Sequence, residues 1–192
     1  MMRCGFADIL PILLLVGCAH SAPPDHAPLE PLLAAADLPA WPGPRLALTQ
    51  VVNGQAEDKS YSARFEVEFD HDRLALVALS HAGAPLFQMQ LSDGSLQLRT
   101  QLAAGSGLRP AWVLSDIGLA YWPPDILAGV LRRKGLKLVE GADTRIVNDA
   151  DGQTVVVIRY GGAERLRAAI HLENRRLGYQ LDIQTRAIRE LR

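Results

Sequence analysis

The chain is poor in the residues that crosslink a fold, span a bilayer or carry a familiar catalytic signature. It holds two cysteines among 192 residues, Cys4 and Cys18, both near the N-terminus. Two thiols so placed cannot form the disulfide framework of a small secreted scaffold. The N-terminal apolar run, Ile9 to Val16, is eight residues long and contains Pro11. A span needs about 20 apolar residues. Neither sign of charge dominates, with 20 Lys and Arg against 21 Asp and Glu. That balance excludes the basic footprint of a nucleic-acid binder and the acidic composition of a solvating tail. Aromatics are 6% of the residues.

Local catalytic motifs are missing as well. There is no G-x-S-x-G; "AGSGL" at 104–108 lacks that spacing. There is no H-E-x-x-H, no P-loop and no G-x-G-x-x-G. His20, His26, His71, His81 and His171 are scattered. "DHD" at 70–72 sits where a hairpin must turn. "NDADG" at 148–152 lacks the downstream carboxylate of a calcium loop and reads as a turn. The expectation is a protein that is not an enzyme, with no catalytic residue, no metal site and no cofactor.

What is present begins with the leader. Arg3 and the run Ile9–Val16 match the charged and apolar parts of a signal peptide, although Asp8 is an imperfection. "LVGC" at 15–18 resembles the lipobox of bacterial lipoproteins. That resemblance implies cleavage before Cys18 and acylation of its thiol and new amino group, palmitate-type chains included. Two lipid signals already anchor a protein stably. Ala19, rather than Asp, after the cysteine implies sorting to the outer membrane, on its periplasmic face. An ordinary secretory leader with an accidental cysteine is the plain alternative. Residues 1–17 are thus expected to be a signal peptide. Residues 18–44 are expected to be a lipidated cysteine and a stiff tether holding Pro23, Pro24, Pro28, Pro31, Pro39, Pro42 and Pro44. One domain is expected over 45–192, a length sufficient for a single core.

Within that domain the first signals are strands. In "ARFEVEF", Phe65, Val67 and Phe69 alternate with Arg64, Glu66 and Glu68. "RLALVALS" is a more evenly apolar strand. Phe87, Met89 and Leu91 alternate with Gln88 and Gln90, and Asp93-Gly94 is a hairpin turn. Two helices follow, the first over Ala111 to Tyr121, interrupted in character by Ser115-Asp116. The second starts at Pro123-Pro124 and stops at Gly135. "LKLVEGADTRIVNDADGQTVVVIRYGG" then reads as two strands joined by a turn at Asn148 to Gly152. "RLRAAIHLE" and "LGYQLDIQT" form a last pair, with Tyr179, Leu181 and Ile183 alternating in the latter. Strands, two helices, strands: this order predicts a mainly β, α+β fold. It is best met by a single curved antiparallel sheet, an open half-barrel, with helices on its concave face.

Arg132, Arg133, Lys134 and Lys137 form a basic cluster that reads as a solvated helix end complementing the dipole. A sharper alternative is contact with anionic lipid. The helices also carry Trp112, Leu114, Ile117, Tyr121, Trp122, Ile126 and Leu127, whose default role is core packing. A sheet partly filled by helices can also leave an apolar cavity.

"LSDIGLAYWPPDIL" followed by "LGYQLDIQT" resembles a family of outer-membrane lipoproteins of unknown function. Their genes accompany fatty-acid-like and aryl-polyene biosynthesis clusters. The order of elements resembles the Lol-pathway lipoprotein carrier and receptor, an open half-barrel with a helical lid. The resemblance implies a hydrophobic ligand cavity lined by Phe65, Val67, Phe69, Phe87, Met89, Leu91, Trp112, Trp122 and Ile126. The alternation groups the strand residues on one face without saying which face is inward. One departure stands out. Where the receptor has a protruding apolar residue, this chain has "SHAGAP" at 80–85. A dedicated acyl or polyene-lipid cargo is therefore expected, with outer-membrane transport or insertion as the role. The expected partners are that ligand, the outer membrane through Cys18 and envelope transport proteins. The alternative is an adaptor for an envelope export or assembly complex that binds no ligand.

Overall fold

The computed structural model describes residues 30–56, 59–102 and 108–191. Cys18, the leader and the first part of the tether lie outside them. Ten strands run in chain order: β1 (Leu46–Ala56), β2 (Lys59–Phe69), β3 (Leu74–Leu79), β4 (Pro85–Ser92), β5 (Ser95–Thr100), β6 (Lys137–Glu140), β7 (Thr144–Asn148), β8 (Thr154–Tyr160), β9 (Ile170–Asn174) and β10 (Tyr179–Glu190). They form one antiparallel sheet in the order β5-β4-β3-β2-β1-β10-β9-β8-β7-β6. Two meanders, β1–β5 and β6–β10, meet at the β1–β10 pair.

β5 and β6 are opposite edges, so the sheet does not close. Between them the chain crosses from one edge to the other through α1 (Pro110–Tyr121) and α2 (Pro124–Arg133). The expected mainly β, α+β architecture with one open antiparallel sheet is the one observed. No helix among the described residues is long and apolar enough to cross a membrane.

Local chemistry explains the turns. Asp93 and Gly94 both take positive φ, 50° and 70°, between β4 and β5, as a two-residue hairpin demands. Gly135, at φ 72°, ends α2. The Gly135 N–H donates to the Arg132 carbonyl and the Leu136 N–H to the Leu131 carbonyl, the paired bonds of a glycine-terminated helix.

Two expectations need correction. The apolar stretch 136–162 holds three strands, not two. Gly141 donates its N–H to the Thr144 carbonyl, and that tight turn separates β6 from β7. The strand expected from Arg165 begins only at Ile170. Before it, a turn closes with the Ala168 N–H donating to the Glu164 carbonyl.

α1 is unusual in having almost no polar face. Every residue from Val113 to Tyr121 is buried, as expected of a helix packed on all sides rather than laid on a surface. The sheet covers one side, and the N-terminal segment covers another. Leu32, Leu33, Leu38 and Trp41 are buried in the core, so the packed body takes in residues that the proline pattern assigns to the tether. Leu33 donates its N–H to Ser115 Oγ at 3.1 Å. Trp122 Nε1 donates to the Pro39 carbonyl at 3.2 Å. Gly118 permits this approach, because a Cβ there would lie 2.5 Å from the Leu38 side chain.

Candidate functional site

Strand pairing places the apolar residues in rows across one face. Phe65 pairs with Ala78, and Ala78 with Phe87. Val67 pairs with Leu76, and Leu76 with Met89. Phe69 pairs with Leu74, and Leu74 with Leu91. All nine are buried, so this face is the inner one. Phe65 and Phe87 meet edge to face at 6.1 Å between ring centroids, a favourable aromatic geometry. The rows run on to the edge strand, where Met89 pairs with Leu98 and Leu91 with Leu96. Leu98 is 44% exposed, so the apolar face reaches solvent beyond the helices.

Beneath α1 the packing leaves a cavity of about 20 Å³. Val113, Asp116, Ile117 and Tyr121, at helical spacing on one side of α1, form its roof. Gln50 and Val52 of β1, Tyr61 and Phe65 of β2, and Leu181 and Ile183 of β10 form its floor. Tyr61 reaches this position because its partner across the strand pair is Gly54. A Cβ on Gly54 would lie 2.1 Å from the Tyr61 ring.

The cavity wall carries a buried acid. Asp116 is 4% exposed, and the Tyr179 hydroxyl lies 2.7 and 2.8 Å from its two carboxyl oxygens. Asn174 Nδ2 donates to the same hydroxyl at 3.1 Å. Burial pushes the Asp116 carboxyl up to about 8, partly offset by the hydrogen bond from Tyr179. Burial, with the Asp116 charge behind it, holds the Tyr179 and Tyr61 phenols above their ordinary range. Tyr121, which accepts from Gln50 Nε2 at 2.6 Å, is pushed up to about 12 by burial. At the outer end, Trp112 stacks on Tyr179 at 5.4 Å, and the Arg109 guanidinium sits 4.6 Å above the Trp112 ring.

Further polar contacts hold α1 from the β6–β10 side. Arg145, 1% exposed, donates to the Leu119 carbonyl at 2.5 Å and pairs with Glu140 at 2.9 Å. The Tyr160 hydroxyl donates to the Ala120 carbonyl at 2.8 Å.

The residues expected from the resemblance fall into different places. Phe65 borders the cavity. Val67, Phe69, Phe87, Met89 and Leu91 fill the core beside it. Trp122 lies in an aromatic cluster, with its ring centroid 5.3 Å from that of Trp41 and 6.2 Å from that of Phe69. Trp112 and Ile126 are half-buried against the core. Cys18 lies outside the described residues.

Asp116, Gln50, Tyr61 and Tyr179 were not among the expected site residues. The polar pair Ser115-Asp116 in an otherwise apolar helix was their one visible signal. The basic cluster divides: Lys134 Nζ lies 2.5 Å from Asp37, and Arg133 donates to its own helix at the Gly129 carbonyl. Among the described residues no group of three His, Cys, Asp or Glu could hold a metal ion.

Comparison with known proteins adds the following. The model of a family described as "Protein of unknown function (DUF3261)" matches residues 47–187. No curated protein matches the chain. Among solved structures, a LolA superfamily protein from Nitrosomonas europaea is similar at 12% identity and a TM-score of 0.45, over 84% of this chain and 92% of that one. A Vibrio parahaemolyticus domain, described in terms of outer membrane lipoprotein sorting, is similar at 9% identity and a TM-score of 0.44, over 78% and 87%. A DUF1329 family protein from Desulfovibrio piger is similar at 8% identity and a TM-score of 0.39, over 78% and 86%.

Proposed function

The chain belongs to the DUF3261 family of proteins of unknown function, and we propose that it is a periplasmic carrier of an apolar chain, anchored to the outer membrane through Cys18. In this reading an acyl or polyene-type lipid lies between α1 and the inner face of the sheet, on its way to the outer membrane. One observation carries the reading: the cavity beneath α1, walled by Val52, Phe65, Val113, Ile117, Leu181 and Ile183. It sits at the joint of the two meanders, where a chain could lie along β1 and β10.

Its volume of about 20 Å³ holds about one water, whereas ligand pockets run from about 300 Å³ upward. In the carrier reading the form described is the closed one, and loading would require α1 to lift. The lifted helix would expose the rows from Phe65 to Leu91 as the binding face.

A second reading, an adaptor without ligand, is favoured by the complete burial of Val113–Tyr121. A helix enclosed on all sides serves a filled core as well as a closed lid.

Native mass spectrometry of the full chain carrying Cys18→Ala separates the two. The carrier reading expects bound acyl-type adducts, and displacement of a fluorescent fatty acid by unlabelled lipid. Ile117→Phe, which adds about the volume of the cavity, should weaken both while the protein stays folded. A chain that purifies empty and binds no fluorescent fatty acid overturns the carrier reading, and crosslinking in cells should then capture a protein partner.

A further inference from the structure

The hydrogen-bond inventory around Asp116 leaves something over. Once ionised, the Asp116 carboxyl offers about four lone-pair sites. Here both oxygens are served by one hydroxyl, that of Tyr179, which carries one proton. No other hydrogen bond to this carboxyl is made among the described residues, and the carboxyl lines the cavity. Both oxygens have a partner, yet a buried acid with lone pairs to spare is a costly feature for a purely apolar lining. Asparagine would fill the same volume on α1 with no charge to bury. The neighbouring polar groups do not compete for it. Gln50 Nε2 is committed to the Tyr121 hydroxyl and to Thr185 Oγ1, and Asn174 is committed to Tyr179 and to the Leu177 N–H.

We infer that Asp116 is the end-group receptor of the cavity, accepting a hydrogen bond from a hydroxyl or amine at the end of an apolar chain. The inference rests on the carrier reading and narrows its cargo. Chains ending in a donor are preferred over chains of equal length ending in an ether. The chain body lies against Val52, Phe65 and Ile117, and its end group meets Asp116 beside the Tyr61 ring. Tyr179 is a positioning residue: it holds the carboxyl toward the cavity and pins α1 over the bound end.

Native mass spectrometry of the full chain carrying Cys18→Ala tests this by competition between 1-dodecanol and dodecyl methyl ether, with dodecylamine as a third probe. The competition is run at pH 9, above the value of about 8 to which burial pushes the carboxyl, where Asp116 is ionised and a hydrogen bond to it is worth about tenfold in affinity. Dodecanol and dodecylamine should each outcompete the ether by about that factor. Asp116→Asn keeps the side-chain shape and an acceptor for Tyr179 but turns an N–H₂ toward the ligand, so the preference should vanish or reverse. Tyr160→Phe, which removes a bond to α1 at the Ala120 carbonyl away from the cavity, should keep the preference, and that assigns the effect to Asp116 rather than to general loosening.

Equal binding of alcohol and ether overturns the inference and leaves the carrier reading standing. So does a preference that survives Asp116→Asn. Failure of every probe to bind overturns both.

Discussion

The Tyr179 hydroxyl of β10 stands 2.7 and 2.8 Å from the two carboxyl oxygens of Asp116 on α1, a polar latch between helix and sheet at the cavity wall. Burial of this carboxyl, which the latch only partly offsets, makes folding stability depend on pH in an unusual direction. The Asp116 carboxyl is pushed from an ordinary 3.8 up to about 8 by burial, so between those values the folded protein holds a proton that the unfolded chain has released. Its stabilising contribution is complete below about pH 4 and is lost as pH rises toward 8. The slope for one proton is about 1.4 kcal/mol per pH unit at most. Asp116→Asn has no proton to release. Urea melts across pH 4 to 9 should show the wild type losing stability relative to Asp116→Asn as pH rises. A constant difference between the two would mean that Asp116 is charged throughout.

Gly54 and Tyr61 make a second testable pair. Glycine inside a strand normally destabilises it by about 0.5–1 kcal/mol relative to alanine, so Gly54→Ala should help unless something occupies the space. The Tyr61 ring occupies it, 2.1 Å from the added Cβ. Overpacking of this kind costs about 1–3 kcal/mol. Gly54→Ala should therefore destabilise the protein. In a Tyr61→Ala background the same change should become neutral or stabilising. A double-mutant cycle from denaturant melts reads the sign reversal directly, and additive effects would contradict the placement of the ring.

The fold was largely legible and the site was not, for different physical reasons. Alternation in "ARFEVEF" and "LFQMQL" depends on one period, and the pairing kept both sets on the buried face. Asp93-Gly94 and Gly135 were readable because each needs a left-handed backbone. The strand break at Gly141 was hidden, since an apolar stretch gives no sign of a turn closed by backbone alone. The cavity was hidden more deeply. Gln50, Tyr61 and Tyr179 come from three strands, and only the order β2-β1-β10 brings them under one helix. Asp116 was visible as an oddity in α1, but nothing local names Tyr179, 63 positions away, as its partner. The burial of residues from the proline-rich segment was hidden for a similar reason. Prolines at 31, 39, 42 and 44 mark an extended chain, and an extended chain can still bury Leu32, Leu33 and Trp41.

That buried segment gives the last prediction. Gly118 lies in the interior of α1, where alanine is intrinsically better by about 1 kcal/mol. Its added methyl would lie 2.5 Å from Leu38 and 3.0 Å from Leu33. Both leucines are buried, so they must move together with the segment that carries them. Gly118→Ala should therefore speed hydrogen exchange across residues 32–41 and lower the melting temperature. Leu38→Ala added to it should restore part of the exchange protection, because it vacates the space the methyl needs. The consequence for binding runs the other way. If loading requires α1 to lift, the apparent affinity of the closed form is reduced by the small fraction of molecules that are open. Loosening the cover raises that fraction. Gly118→Ala should then bind dodecanol more tightly than the wild type while being less stable. A fully packed adaptor predicts lower stability with no gain in binding, so titrating the two proteins side by side decides whether the helix beneath Leu33 and Leu38 is a lid or a core.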